Sequence, residues 1–217
     1  MIKPKLLLTG FDRFPGVEAN ASKSLINFIE KTDRYSDLAE VYTHIFKTEY
    51  DTTLKSIDEI LSAINPDIII SFGVAPNLSS VRIERYATNQ ISQTCADDAG
   101  DIFTKSTCER VDRLNSTLPL KDISERLTAN KLAYEMSDSA GEYLCNFLFY
   151  QWLTYDYGAR PPQACGFIHI PQNVFYTQIG GSLPCNSANS STLLRAINII
   201  IKTSIDAVID NEAPLIV

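Results

Sequence analysis

Cys145 occupies a position that suits a reactive residue, because it follows a predicted strand and lies near the start of a predicted helix. Backbone N–H groups and the positive end of a helix dipole favour a thiolate there and can also bind an oxyanion. Cys145 is therefore a candidate nucleophile. Its segment, SDSAGEYLC over residues 137–145, is equally compatible with a small buried core cysteine, the usual role of an unpaired cysteine.

His169 lies at the end of a second strand-like run, GFIHIP over residues 166–171. A histidine positioned at a strand end suits a general base, although a single histidine there is more often structural. His44 lies in a similar apolar segment with no neighbours that suggest chemistry, so we assign it to packing. The chain contains only these two histidines.

Glu84 is a carboxylate in an otherwise apolar segment that reads IERYATN over residues 83–89. A buried charge without a partner is costly, so Glu84 needs one. Arg82 or Arg85 would form an ordinary ion pair with it, whereas a histidine would make it the third member of a catalytic triad. Spacing alone does not decide between these partners.

The elements that must position these residues follow from hydrophobic periodicity. Strands are predicted at residues 5–11, 39–46, 67–73, 81–87, 132–137 and 165–170. Helices are predicted behind a Ser22 cap, and then at residues 50–64, 120–129, 141–155 and 191–209. Residues 88–115 are predicted to form a long loop. Repeated β-α units indicate an α/β fold, with a mostly parallel twisted sheet and helices on both faces in three layers.

Composition limits the function classes. The 217 residues suit one α/β domain, which we expect to span 1–217. A net charge of −7 disfavours nucleic acid and anionic membranes as partners, since both repel an acidic protein. No apolar run approaches a membrane span or the core of a signal peptide, so we expect a soluble cytoplasmic protein. Five cysteines without a C-x-x-C pair, and two histidines, make a zinc site improbable, so no metal is expected.

Together these segments resemble type I pyroglutamyl peptidase, also called pyrrolidone-carboxylate peptidase. The opening LLLTGFDRFPG is similar to the family's LLTGFDPFGG, and PDIIISFG over residues 66–73 is similar to its PDIII-x-x-G strand. ERYATN resembles ERVAIN, SAGEYLCN resembles TAGTFVCN, and GFIHIP matches the family's histidine motif. By this resemblance the triad falls on Glu84, Cys145 and His169.

The resemblance implies a cysteine omega-peptidase that removes N-terminal pyroglutamate from peptides without a metal or cofactor. The family is typically an intracellular homotetramer, so a homotetramer is the expected assembly. Cys145 would form a thioester with the pyroglutamyl group, His169 would act as base and acid, and Glu84 would hold the imidazole. Positions that match the family's substrate pocket are the aromatic residues Phe11, Phe14 and Tyr143, with Asn20 as a polar neighbour.

Thr94 is the main departure from the family pattern, because the family has an arginine near the substrate carbonyl ten residues after its triad glutamate. Losing one oxyanion donor typically costs about a hundred- to a thousandfold in turnover, unless Arg82 or Arg85 supplies a replacement. Tyr143 replaces a phenylalanine, and its hydroxyl is expected to shrink or polarise the pocket.

Two alternatives to the peptidase remain open. One is a pyroglutamate- or peptide-binding homologue with weak or no catalysis, which the Thr94 substitution favours. The other is a cysteine hydrolase of a different small acyl or lactam group, which Tyr143 favours. The fold alone does not separate these functions.

Overall fold

The computed structural model describes residues 3–13, 20–75, 77–92, 94–103, 112–158, 160–172 and 188–212. Its strands are β1 Lys5–Phe11, β2 Glu40–Phe46, β3 Ile68–Ala75, β4 Val81–Glu84, β5 Tyr86–Thr88, β6 Arg113–Asn115, β7 Tyr134–Ser137 and β8 Ala164–Pro171. Its helices are α1 Ala21–Lys31, α2 Tyr50–Ile64, α3 Leu120–Ala129, α4 Leu144–Thr154 and α5 Ala188–Glu212. The predicted alternation of strands and helices is therefore confirmed in these ranges.

The main sheet has six strands in the order β2-β1-β3-β8-β4-β7. Strands β2, β1, β3 and β8 run parallel, β4 runs antiparallel to β8, and β7 runs parallel to β4. The predicted class, α/β with a mostly parallel sheet, is confirmed. The pair β4 and β7 is reversed relative to the other four strands, which the sequence did not indicate.

The single strand predicted at residues 81–87 is wrong, because the chain changes partner at Arg85. The backbone N–H of Arg85 donates to the Ser137 carbonyl, and its carbonyl accepts from the Ser116 N–H. The chain then enters β5, which pairs with β6 in a separate two-stranded sheet. Strand β6 lies within the segment predicted as a loop.

Helices cover both faces of the sheet, as predicted. One face packs against α1, α3 and α5 through a largely aliphatic cluster, and we call it the aliphatic face; its members include Leu25, Ile83, Ile123, Ile168 and Ile197. The other packs against α2 and α4 and is rich in rings, and we call it the aromatic face; its members include Phe11, Phe46, Phe147, Trp152 and Phe167. Neighbouring residues of one strand alternate between the two faces.

The predicted Ser22 cap is wrong, because Asn20 caps α1. Asn20 Oδ1 accepts the Ser22 N–H at 2.9 Å, and the Ser22 hydroxyl donates to the same oxygen at 2.7 Å. The Ser22 hydroxyl also accepts the Phe11 N–H at 3.0 Å, which ties the helix start to the end of β1. Among the helices of the described ranges, none has the length and apolar character that crossing a bilayer requires.

Candidate active site

Glu84 and His169 form a buried hydrogen-bonded pair. His169 Nδ1 lies 2.7 Å from Glu84 Oε1, and the side chains are 7% and 0% exposed. The sequence left either an arginine or a histidine as the partner of Glu84, and in the structure the partner is His169. The second carboxylate oxygen of Glu84 is buried without a hydrogen-bond partner among the described residues.

The antiparallel pairing of β4 and β8 creates this contact. Arg82 lies opposite His169 and Glu84 lies opposite Phe167, so Glu84 is the diagonal neighbour of His169 on the aromatic face. Diagonal neighbours on antiparallel strands are within reach of long side chains. The two residues meet through strand register, and not because both follow the carboxyl ends of parallel strands.

Cys145 approaches the same histidine from above the sheet. Helix α4 begins at Leu144, three residues later than predicted, so Cys145 is its second residue. The first intrahelical hydrogen bond runs from the Phe147 N–H to the Tyr143 carbonyl, and the Tyr143 side chain makes no cap hydrogen bond. The amide hydrogens of the first turn therefore lie outside the helical ladder and remain suitable donors to an anion.

Opposing influences set the pKa of His169. Burial of the ring lowers it, but the charge of a Cys145 thiolate and hydrogen bonding with it, and then the interaction with Glu84, raise it more, so that the pKa is about 9. The imidazole therefore holds a proton near neutral pH when a thiolate lies beside it. A protonated imidazole between a thiolate and a carboxylate is the arrangement of an activated cysteine nucleophile.

A pocket of about 90 Å³ opens beside the thiol, lined by Phe11, Asn20, Thr48, Val74, Tyr143, Leu144 and Cys145. Sites for drug-sized ligands occupy roughly 300–1,000 Å³, so this pocket suits a small group. Three of the four predicted pocket residues, Phe11, Asn20 and Tyr143, line it together with Cys145. Phe14, the fourth, lies outside the described residues.

Comparison with known proteins assigns the family. The family model for pyroglutamyl peptidase matches residues 4–207. The chain belongs to the pyroglutamyl peptidase family. This confirms the resemblance found in the sequence motifs.

Relatives with this family's activity in their names align along most of the chain. The pyrrolidone-carboxylate peptidase of Thermococcus litoralis is 28% identical over 210 residues, covering 93% of each chain. That of Pyrococcus furiosus is 31% identical over 169 residues, covering 77% of this chain and 80% of the relative.

Solved structures agree with the fold. A crystal structure of the Pyrococcus furiosus pyrrolidone carboxyl peptidase superposes with a TM-score of 0.79 at 27% identity, covering 94% of this chain and 99% of the other. The Thermococcus litoralis enzyme gives a TM-score of 0.76 at 26% identity and covers 99% of both chains.

Asn20 and Tyr143 use their polar atoms within the protein. The side-chain carbonyl of Asn20 caps α1, and its amide donates to the Asp12 carbonyl at 2.9 Å. The Tyr143 hydroxyl donates to the Ala96 carbonyl at 3.2 Å. Burial, followed by the charges of Asp98 and Asp97, raises the pKa of Tyr143 to about 12, so it remains a neutral donor. Because the Tyr143 hydroxyl is engaged with Ala96, it makes the pocket less polar than the sequence led us to expect.

Both arginines considered as substitutes for the family's oxyanion arginine form ion pairs with other carboxylates, although Arg85 Nε is buried without a hydrogen-bond partner among the described residues. Arg82 pairs with Glu135 at 2.9 Å, and Arg85 pairs with Asp138 at 2.6 Å. The Thr94 hydroxyl is exposed and lies 3.2 Å from the Ser92 hydroxyl. Among the described residues, the backbone N–H groups of the first turn of α4 are candidate donors to an oxyanion.

The loop containing Thr94 is fixed against the pocket by hydrogen bonds through its acidic segment. Asp97 Oδ2 accepts the Tyr50 N–H at 2.9 Å and so caps the start of α2, where Glu49 provides no side-chain cap. The Asp98 N–H donates to the Thr48 carbonyl at 2.9 Å. The loop thereby supports two of the pocket walls, one at Thr48 and one at Tyr143.

Sequence reasoning missed three pocket residues, Thr48, Val74 and Leu144. Thr48 follows β2 closely, and Val74 lies in the last part of β3. Both lie at the carboxyl ends of parallel strands, where ligands gather in open α/β sheets, so that rule applied to every strand would have found them.

The other cysteines differ from Cys145 in environment. Burial raises the pKa of Cys165 well above the usual range, which keeps it an inert thiol. Cys95 is exposed in the loop beside Tyr143, and Cys108 and Cys185 lie outside the described residues. The described residues contain no group of three or more side chains arranged to hold a metal ion.

Proposed function

We propose that this protein is a cysteine omega-peptidase that removes N-terminal pyroglutamate from peptides, with Cys145 as nucleophile, His169 as general acid and base, and Glu84 orienting the imidazole. The observation that carries the proposal is the buried contact of 2.7 Å between His169 and Glu84. Cys145 lies close enough to the same ring to raise the pKa of His169. Membership of the pyroglutamyl peptidase family supplies the substrate class.

Acylation begins with the Cys145 thiolate, whose proton resides on His169. The sulfur attacks the carbonyl carbon that joins pyroglutamate to the next residue, and the oxygen becomes an anion. As the tetrahedral intermediate collapses, the C–N bond breaks, and His169 gives its proton to the departing amine. The pyroglutamyl group is then held as a thioester on Cys145, and the shortened peptide leaves with a free amino terminus.

Deacylation reverses these roles. The neutral His169 removes a proton from water, whose oxygen attacks the thioester carbonyl. The C–S bond breaks, free pyroglutamate leaves, and the thiolate and the protonated imidazole are restored. The Glu84 carboxylate accepts from His169 Nδ1 throughout, which fixes the tautomer and directs Nε2 towards the reacting atoms.

The oxyanion is stabilised by the first turn of α4. The Cys145 N–H lies before the first intrahelical hydrogen bond, and the helix dipole is positive at this end. A donor of this kind contributes about 3–4 kcal/mol when it is aimed at the developing charge. With both nearby arginines engaged elsewhere, this turn would provide the main stabilisation of the oxyanion.

The lactam ring would lie in the pocket beside the thiol. Phe11, Val74 and Leu144 contact its flat apolar faces, and the size of the pocket restricts the bound group to a small ring. Thr48 adds a threonine hydroxyl beside these apolar walls. An extended amino acid side chain with a charged end would lose hydration in such a site, which favours the neutral lactam.

Assembly and location are part of the proposal. We propose a homotetramer in the cytoplasm, formed by a single catalytic domain that spans residues 1–217. Family membership supports the assembly, and the family match over residues 4–207 supports the single domain. A catalytic thiol requires a reducing environment, which the cytoplasm provides.

A second candidate is a pyroglutamate-binding homologue with weak catalysis. It is favoured by Thr94, whose hydroxyl is exposed, and by the engagement of Arg82 and Arg85 in other ion pairs. In that case the pocket would still bind the lactam, but the rate of acylation would be low.

The proposal is tested with pyroglutamyl-aminomethylcoumarin under reducing conditions. The wild type should release the fluorophore, Cys145→Ser should not, and both should have the same circular dichroism spectrum. Cys95→Ser is the matched control for thiol loss and should retain turnover. Absence of turnover from folded wild type, with pyroglutamate binding seen by calorimetry, would favour the binding homologue.

A further inference from the structure

Gly73 lies directly beneath the Cys145 thiol. A Cβ built on Gly73 would lie 2.8 Å from Cys145 Sγ, closer than real Cβ atoms approach a heavy atom. The same Cβ would lie 2.8 Å from two ring atoms of Phe167. The thiol therefore occupies space that a side chain at position 73 would need.

The register of the sheet places this space beside the histidine. Gly73 in β3 pairs with His169 in β8, and aligned residues of parallel strands direct their side chains to the same face. His169 pairs on its other side with β4, whose Glu84 contacts it from the diagonal position. Across the strands β3, β8 and β4, this part of the sheet thus presents Gly73 without a side chain, the His169 imidazole and, diagonally, the Glu84 carboxylate.

We propose that Gly73 is a positioning residue for the nucleophile, because its missing side chain lets Cys145 descend to the level of the His169 ring. This inference rests on the proposed role of Cys145. A methyl group at position 73 would displace the sulfur away from the sheet and so separate it from the imidazole. The backbone itself does not require glycine there, since the φ angle of Gly73 lies outside the left-handed region.

Gly166 provides a matched control on the neighbouring strand. A Cβ at Gly166 would also be overcrowded, since it would meet the Leu118 side chain and would lie 2.7 Å from Ser116 Oγ. Gly166 faces the aliphatic side, because it is an odd number of residues from His169 along β8. Alanine at either glycine should lower the melting temperature, but only alanine at Gly73 meets the thiol.

The test compares Gly73→Ala and Gly166→Ala with the wild type in three measurements. These are kcat/KM on the fluorogenic substrate, the rate of Cys145 alkylation by iodoacetamide followed by peptide mapping, and the NMR titration of His169. A displacement of about 1 Å at a reacting atom can cost about a hundredfold, so Gly73→Ala should lose about that factor in kcat/KM. Alkylation of Cys145 should slow, and the His169 titration midpoint should fall.

Gly166→Ala should leave the alkylation rate and the His169 midpoint unchanged. A Gly73→Ala protein that folds and matches the wild type in both the Cys145 alkylation rate and the His169 titration midpoint would overturn the proposal. These two measurements do not need turnover. They therefore separate a failure of this inference from a failure of the proposed peptidase activity.

A second pair of variants covers the case in which Gly73→Ala does not fold. Phe167→Leu removes the ring atoms that the new methyl group would also meet, so Gly73→Ala/Phe167→Leu retains mainly the contact with the thiol. Relative to Phe167→Leu alone, the double variant should fold but still show slow alkylation of Cys145 and a lowered His169 midpoint. Recovery of both values to those of Phe167→Leu would contradict the role of Gly73.

Discussion

The two faces of the sheet are made by alternating residues of the same strands, yet they differ in chemistry. On the aliphatic face, the central strands contribute Ile68, Ile70, Ile168 and Ile170, all fully buried and apolar. On the aromatic face, β1 and β3 contribute buried hydroxyls. The Thr9 hydroxyl donates to Ser71 Oγ at 2.8 Å, and the Trp152 indole donates to the same oxygen at 3.0 Å.

This difference shows how one scaffold separates stability from chemistry. Buried polar groups are usually hydrogen-bonded, and on the aromatic face Thr9, Ser71 and Trp152 form one hydrogen-bonded group while His169 and Glu84 form another. The aliphatic face stabilises the fold without polar groups on its central strands. Substitutions on the two faces should therefore affect different measurements.

Adjacent residues of β4 give the largest contrast, because Ile83 faces the aliphatic side and Glu84 contacts His169. Glu84→Gln should lower kcat by about a hundredfold to ten-thousandfold, since the amide no longer stabilises the protonated imidazole or fixes its tautomer. Ile83→Val should lower the free energy of unfolding by about 0.5–1.5 kcal/mol and leave kcat unchanged. Steady-state kinetics and urea unfolding of both variants check this.

Glu135→Gln is the charge-matched control, because Glu135 forms an exposed ion pair with Arg82 on the edge strand. Such surface pairs contribute about 0–1 kcal/mol, so its kinetics should match the wild type. Equal losses of kcat in Glu84→Gln and Glu135→Gln would remove the special role of Glu84.

The pH dependence should distinguish the two histidines. The pKa of His169 is raised to about 9, so kcat/KM should fall about tenfold per pH unit above that value, because neutral imidazole cannot protonate the leaving amine. Burial lowers the pKa of His44 below its usual range, although Glu59 opposes this. NMR titration should therefore resolve one midpoint above and one below the usual value of about 6.5.

Cys145→Ser provides the internal check on that titration. Because the thiolate helps to raise the pKa of His169, its removal should lower the His169 midpoint and leave that of His44 in place. An unchanged His169 midpoint in Cys145→Ser would mean that the thiol and the imidazole do not interact.

Trp152→Phe probes the buried hydroxyls of the aromatic face. The variant loses the indole donor to Ser71 and leaves a smaller ring, so the free energy of unfolding should fall by about 1–3 kcal/mol. Ile168 lies in β8, next to the strand of Ser71, and faces the aliphatic side. Ile168→Val should lower the free energy of unfolding by about 0.5–1.5 kcal/mol. Neither should change kcat by more than a few-fold, and a large loss of kcat in Trp152→Phe would connect this hydrogen-bond chain to catalysis.

Tyr143→Phe should have the smallest effect. It removes one exposed hydrogen bond to the Ala96 carbonyl, which costs about 0.5–1.5 kcal/mol of stability, and KM should change by no more than a few-fold. Tyr134→Phe, which removes an exposed tyrosine hydroxyl near Thr128 beside the aliphatic face, is the matched control. A loss of kcat/KM confined to Tyr143→Phe and exceeding tenfold would indicate that its hydroxyl contacts the substrate.

The sequence by itself determined the α/β class, most of the element positions and the family. These properties are local, because apolar periodicity and short motifs record which faces of a segment are buried and where a turn must follow. The central strand and the helix Leu120–Ala129 needed no tertiary information for this reason. Cys145, His169 and Glu84 could each be selected as candidates from their own segments.

The family resemblance predicted that these three residues meet, but only the tertiary structure shows how they do. The reversed direction of β4 makes Glu84 the diagonal neighbour of His169, and no local pattern encodes strand direction across a crossover. The same applies to Arg85, whose engagement with Asp138 depends on the neighbouring strand β7, and to Asn20, whose cap depends on the path after β1. The role proposed for Gly73 also depends on the tertiary structure, because α4 places the Cys145 thiol over this residue. The sequence alone does not show which side chain occupies the space above a glycine.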